Sequence, residues 1–209
     1  MRKLVLVLGL LLGGVYACAT PIPVDFLAWS GGNWQNGYPY YLTFGATAVT
    51  AVMCDDYAHS GAPGETWLAN TTNLGTKDLS LVRFNLLPDA LTLYDEAGWL
   101  LLQTQVTNQS DWRDINYAAW HIFDSQSPVD QGIQFWLDAA ATEAGKGFQG
   151  VDFFRVDILT PVDQYNPDPS SIQEFMYLVP HDPSSVPEPG TLLLLGTGAL
   201  TLLWRRRAR

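Results

Sequence analysis

The chain reads as an α+β protein, an antiparallel β-sheet or small barrel with an inserted bundle of about three helices, and three patterns predict it. From Phe26 to Ala69, apolar and aromatic residues alternate with polar ones between Gly- and Asn-rich turns, the period of half-buried strands. From Pro88 to Gly145 the apolar spacing lengthens to that of helices. After Gly150 the strand pattern returns, so strands, helices and strands follow one another in a single domain.

Within the first region, Ser30-Gly31-Gly32-Asn33 and Gln35-Asn36-Gly37 carry turn chemistry, because Gly and Asn adopt positive φ at little cost. Tyr40, Leu42 and Phe44 then alternate as the inward set of one strand, and Val49, Ala51 and Met53 as that of the next. Ser60 to Gly64 is a further turn, leading to strand residues at Thr66-Trp67-Leu68 and at Leu79, Leu81 and Arg83.

Leu93, Ala97, Leu100, Leu101 and Thr104 share one face of the first helix. The second is expected to be capped by Ser110, with Asp111 and Asp114 at the positive end of its dipole and Ile115, Ala118, Ala119 and Ile122 on its core face. A third starts at Ser127-Pro128, buries Ile133, Trp136, Leu137, Ala140 and Ala144, and stops at Gly145. Strands follow over Val151–Leu159 and Gln173–Val179, separated by a Pro- and Asp-rich loop from Pro161 to Pro169.

The two ends differ from this domain. Arg2 and Lys3 precede an apolar run from Leu4 to Val15, and Ala17-Cys18-Ala19 supplies small residues ahead of a cut before Thr20, the layout of a secretory signal peptide. A cut before Cys18 would instead make a lipoprotein, although Tyr16 sits poorly in a lipid-attachment motif. At the other end, Val186-Pro187-Glu188-Pro189 is followed by an apolar run from Leu192 to Trp204 and by Arg205, Arg206, Arg207 and Arg209. Pro189 suits the first turn of a helix, the leucines favour lipid, and the arginines stay on the cytoplasmic side. Counted from Val186, the segment approaches the length of about 20 residues that a transmembrane helix needs. The expected organisation is therefore a signal peptide over 1–19, an exported domain over 20–180, a Pro/Ser spacer over 181–185 and a membrane-entering tail over 186–209.

Between the signal peptide and the terminal arginines, Lys77, Arg83, Arg113, Lys146 and Arg155 face 21 acidic residues, a balance of −16. Such a surface repels nucleic acid and anionic headgroups, and favours cations or neutral glycans. With the signal removed, Cys54 is the one cysteine left, so no internal disulfide is expected. Phosphate loops, nucleophile elbows, zinc pairs and dinucleotide fingerprints are all missing, and no cofactor is expected.

Met53-Cys54-Asp55-Asp56-Tyr57-Ala58-His59 is the densest polar cluster beside an apolar strand. A nucleophilic Cys54 paired with a histidine is disfavoured, because the neighbouring carboxylates oppose a thiolate. Asp55, Asp56 and His59, with His121 or Asp124, offer oxygen-rich ligands of the kind that suit Ca²⁺, but their spacing matches no known loop. His59, His121 and His181 otherwise read as surface or loop residues. Of the aromatics, Trp99, Trp120 and Trp136 read as core, whereas Trp29 and Trp34 in the Gly/Asn loop could present rings to a sugar. Hydrolysis of a glycan would need two opposed carboxylates, and the sequence singles out no pair.

The Val-Pro-Glu-Pro, apolar span and Arg-rich terminus resemble the PEP-CTERM sorting signal of Gram-negative bacteria. That resemblance implies passage through the Sec export machinery, transient retention in the inner membrane by the tail, and processing near Pro-Glu-Pro by exosortase. It also implies display at the cell surface or release into a matrix, and an association with extracellular polysaccharide and biofilm. Within the body, Cys54-Asp55-Asp56 and Asn116-Tyr117-Ala118-Ala119-Trp120 resemble the Cys-x-Asp and Gln-x-Ala-x-Trp pair of thioester-type surface domains. In those adhesins, Cys and Gln condense to an internal thioester; here Asn116, one methylene shorter, stands at the Gln position. The expectation is a non-catalytic structural or binding protein. A covalent adhesin using Cys54 and Asn116, and a secreted glycan hydrolase, are the alternatives.

Overall fold

A computed structural model of the chain describes residues 20–29, 38–45, 47–162 and 172–179. The expected signal peptide, the expected turns from Ser30 to Gly37 with Trp34, most of the Pro/Asp loop, the expected spacer and the tail lie outside those residues. Among the described residues, no helix is long and apolar enough to cross a membrane.

Six strands form a closed antiparallel barrel: β1 (Ile22–Trp29), β2 (Tyr40–Phe44), β3 (Thr50–Cys54), β4 (Thr66–Asn73), β5 (Val156–Pro161) and β6 (Phe175–Leu178). Their order around the barrel is β1-β2-β3-β6-β5-β4, and β1 closes the ring by pairing with both β2 and β4. Three helices are inserted between β4 and β5: α1 (Ala90–Gln103), α2 (Trp112–Phe123) and α3 (Gln131–Gly145). Of the two forms expected for the strands, the structure takes the barrel, which leaves no unpaired edge.

Alternation puts large side chains inside. Val24 and Phe26 of β1 face Phe44 and Leu42 of β2 across the ladder, and all four are buried. Phe175 of β6 sits at the hub of the interior rings, with centroids 5.9 Å from Phe26 and 5.8 Å from Tyr40, both edge-on, and 6.1 Å from the stacked Trp67. Edge-to-face rings at this spacing add stabilisation beyond the area they bury. Outside the barrel, α1 packs on β6 and α2 on β3, and the three helices pack on one another.

That packing explains where the local pattern misleads. In β3 the inward set is not Val49, Ala51 and Met53: Val49 is exposed and Ala51 half-buried, while Val52, Met53 and Cys54 are all buried. This strand lies between the barrel interior and α2, so both of its faces are covered and a one-sided alternation fails. Leu79, Leu81 and Arg83 belong to turns rather than to a strand. There the Arg83 side chain is drawn inside to a carboxylate. Val151 to Arg155 precedes β5, with a 3-10 turn at Phe153–Arg155 capped by the Asp152 side chain.

The helix faces follow the expected period, and their ends differ. Tyr94, Ala97, Leu100 and Leu101 of α1 are buried; so are Ile115, Ala118, Ala119 and Trp120 of α2, and Ile133, Trp136 and Ala140 of α3. Trp99 is half-buried rather than core, 6.5 Å from the Trp136 ring. Ser110 sits in a 3-10 turn, Gln109–Asp111, and makes no cap to α2. At α3 the cap is Asp130, whose carboxylate accepts from Ile133 N–H at 3.0 Å, while Ser127 is buried against the Tyr117 carbonyl. Gly145 is the last helical residue, and it is Gly147, at φ +69°, that turns the chain away.

Candidate functional site

Seven residues at the end of β3 and beyond it, Cys54 to Ser60, run from the buried core to the surface. Their first half points inward. Asp55 and Asp56 are fully buried, as is Glu174 just before β6. Arg83 is the guanidinium that reaches them: Nε lies 3.1 Å from Asp56 Oδ2, Nη2 donates to the Ile172 carbonyl at 2.6 Å, and its backbone N–H donates to Glu174 Oε2 at 2.9 Å. Glu174 also accepts from the Tyr94 and Thr160 hydroxyls, joining α1, β5 and β6 in one network. Among the described residues, no hydrogen bond of ordinary geometry reaches either oxygen of Asp55, which lies beside the Glu174 carboxyl. Burial, then the charges of Glu174 and Asp56, push the Asp55 carboxyl well above the usual carboxylate range. Burial likewise raises Glu174, against the hydrogen bonds from Thr160, Tyr94 and Arg83 that pull it down.

Cys54 is free, fully buried, and adjacent to Asn116 of α2. Its backbone N–H donates to Asn116 Oδ1 at 3.3 Å, its Sγ donates to the Asp56 carbonyl at 3.3 Å, and the Trp120 indole N–H lies on its sulfur side. Asn116 Nδ2 has no hydrogen-bond partner among the described residues. Burial first, and the Asp56 and Asp55 carboxylates second, push the Cys54 thiol well up, so a free thiolate is strongly disfavoured. The structure thus brings Cys54 and Asn116 together across β3 and α2.

The second half of the segment opens outward. Tyr57, His59, Ser60 and Gly61 form one wall of a cavity of about 500 Å³, whose other walls include Trp29, Tyr40, Trp120, Asp124 and Gln173. His59 Nδ1 is 2.7 Å from Asp56 Oδ1, which fixes the ring and leaves Nε2 for a ligand. The Gln173 amide donates to the Asp56 carbonyl at 3.2 Å, so Asp56 holds both an inner ion pair and two cavity-lining side chains. Tyr57 packs on Trp120 at 5.4 Å between ring centroids. A side chain at Gly61 would place Cβ 3.2 Å from the Phe26 ring, so glycine lets this wall close on β1.

Among the residues singled out from sequence, Asp55, Asp56 and His59 gather with Cys54, while His121 turns to the Ser127 carbonyl at 3.2 Å. Among the described residues, no three of His, Cys, Asp and Glu are arranged to hold a metal ion. His59 is more than a loop residue, since its contact with Asp56 orients it. Arg83, Glu174, Tyr94 and Thr160 escaped the sequence reading. A trace existed for two of them: Arg83 interrupts the apolar run Leu81 to Leu87, and Glu174 abuts the apolar strand Phe175–Leu178. Val186, Pro187, Glu188, Pro189, Arg205, Arg206 and Arg207 lie outside the described residues.

Residues 185–207 match the family model of the PEP-CTERM protein-sorting motif. No curated protein matches the chain. Among solved structures there is a weak resemblance to the N-terminal thioester domain of a surface protein from Clostridium perfringens: 13% identity, 76% of this chain and 98% of that one covered, TM-score 0.44. At that distance it bears on neither the chemistry nor the ligand.

Proposed function

We propose that this is an exported, exosortase-sorted bacterial protein whose domain serves at the cell surface or in the extracellular matrix as a non-catalytic structural or binding component. The observation that carries the reading is the PEP-CTERM motif over residues 185–207, which implies export, transient membrane anchoring and processing by exosortase. The Sec machinery and the inner membrane are then partners of its two ends. Support for a non-catalytic role comes from the interior: Cys54 and Asp55, both pushed well up by burial, are fully enclosed and do not line the cavity. Deleting Pro187 to Arg209 and fractionating the producing cells tests the route. The chain should leave the membrane for the soluble periplasm; unchanged membrane association overturns the reading.

One observation favours a second reading, a covalent adhesin: the Cys54 N–H to Asn116 Oδ1 contact. In that chemistry Cys54 Sγ attacks the Asn116 amide carbon, a thioester forms, and the amide nitrogen leaves as ammonia. Intact mass of the purified chain decides. A deficit of one ammonia, abolished in Cys54→Ser, would establish the adhesin; full mass would leave Cys54 and Asn116 as structural partners.

A further inference from the structure

We propose that the cavity between β1, the loop at 57–61 and α2 binds an uncharged pyranose unit of a glycan against the rings of Trp29 and Tyr57. This rests on the binding role proposed above and names its site and ligand class. Four aromatic side chains, Trp29, Tyr40, Tyr57 and Trp120, contribute to walls that enclose about 500 Å³. That volume falls within the roughly 300–1,000 Å³ of small-molecule sites and suits one or two sugar rings. The C–H face of a pyranose packs on an aromatic face as an apolar surface, while its hydroxyls, each a donor and an acceptor, need mixed partners at the edge. His59, Ser60, Asp124 and Gln173 supply that mixture. A purely aliphatic ligand would strip water from these groups and return no hydrogen bond.

Charge narrows the class further. Among the described residues that line it there is no Lys or Arg, Asp124 contributes a carboxylate, and the chain as a whole is strongly acidic. Uronates, phosphates and sulfated sugars would enter against that field, whereas neutral sugars are indifferent to it. The site is also held ready. Asp56, fully buried and paired with Arg83, fixes the His59 ring at 2.7 Å and takes the Gln173 amide on its carbonyl. Binding therefore orders few side chains.

The test uses the full chain in mild detergent, screened against immobilised neutral and uronate-containing oligosaccharides, then titrated by tryptophan fluorescence with the best neutral tetrasaccharide. Tyr57→Ala and Trp29→Ala should each weaken binding about tenfold, the cost of losing one stacking ring in a desolvated site. Tyr57→Ala, at a half-buried position, should do so with little change in thermal unfolding, so that lost binding is not lost folding. Asp124→Asn should keep neutral binding and raise the affinity for uronate oligosaccharides. Binding untouched by both ring deletions, tighter binding of uronates by the unaltered chain, or binding of no neutral oligosaccharide would each overturn the proposal. None of these outcomes alters the membrane fractionation that tests the sorting route, so the two readings fail separately.

Discussion

Cys54, Asp55 and Asp56 are joined in the chain to Tyr57, His59 and Ser60, yet the two triplets are held in opposite ways. The first three are fully buried and are met by Asn116 of α2, by Arg83 from its turn, and by the Glu174 carboxyl that α1 and β5 in turn hold. The last three border open space and are met mainly by their neighbours. Side chains of similar polarity thus become a structural clasp on one side and a binding wall on the other. Direction decides this: a carboxylate turned inward must be compensated by the fold, whereas one turned outward is compensated by water until a ligand replaces it. Asp56 belongs to both sides, through Arg83 within and His59 without.

Substitutions in the inner triplet and its partners should therefore act on stability and those in the outer triplet on binding. The largest effect is expected from Arg83→Ala, which leaves Asp56 buried without its cation and should cost about 3–5 kcal/mol in urea unfolding, the range for breaking a buried pair. A cost under about 1 kcal/mol would show the clasp to be solvated. Asn116→Ala comes next. It removes the acceptor of the buried Cys54 N–H and should cost about 1–3 kcal/mol, the penalty of an unsatisfied buried donor, with β3 and α2 loosening together in amide exchange.

Asp55→Asn should have a smaller effect of opposite sign. The folded pKa of Asp55 is raised, so the native state holds a proton that the unfolded chain has released above its ordinary carboxylate range. Stability from this group is therefore full at acid pH, falls as pH rises toward the folded pKa, and stays low beyond it. The variant should melt higher than the parent at neutral pH, and the gap should close on acidification; a gap that widens on acidification contradicts the sign. Glu174, also raised, adds to the same slope. The smallest effect belongs to Tyr57→Ala, expected to change stability by no more than about 1 kcal/mol because its ring is half-exposed, while weakening glycan binding. A large melting shift here would place Tyr57 with the inner triplet and erase the contrast.

Much of this architecture is legible in the chain because the signals are local. Tyr40, Leu42 and Phe44 announce a strand by their period, Ile115, Ala118 and Ala119 a helix by theirs, and the order strands, helices, strands is that of the fold. That Cys54 meets Asn116 is not stated by any local pattern, for no periodicity links residues 62 positions apart. The clasp was not legible. Arg83 and Glu174 are 91 residues apart, and nothing near either one states that it faces the other's backbone or carboxyl. The reading of β3 failed for a related reason, since alternation presumes one wet face and α2 covers it.

By itself the sequence determined the sorting motif and the elements: Val186-Pro187-Glu188-Pro189 ahead of an apolar run and Arg205 to Arg207, and the periods of barrel strands and inserted helices. A sorting motif and the burial of an apolar stripe depend on residues close together in the chain, which is why they can be read there. Only the tertiary structure decided that the barrel closes, that three carboxyls share its wall with one guanidinium, and that Trp29 and Tyr57 border a single cavity. Those outcomes depend on which distant side chains displace the same water, a property of the packed whole.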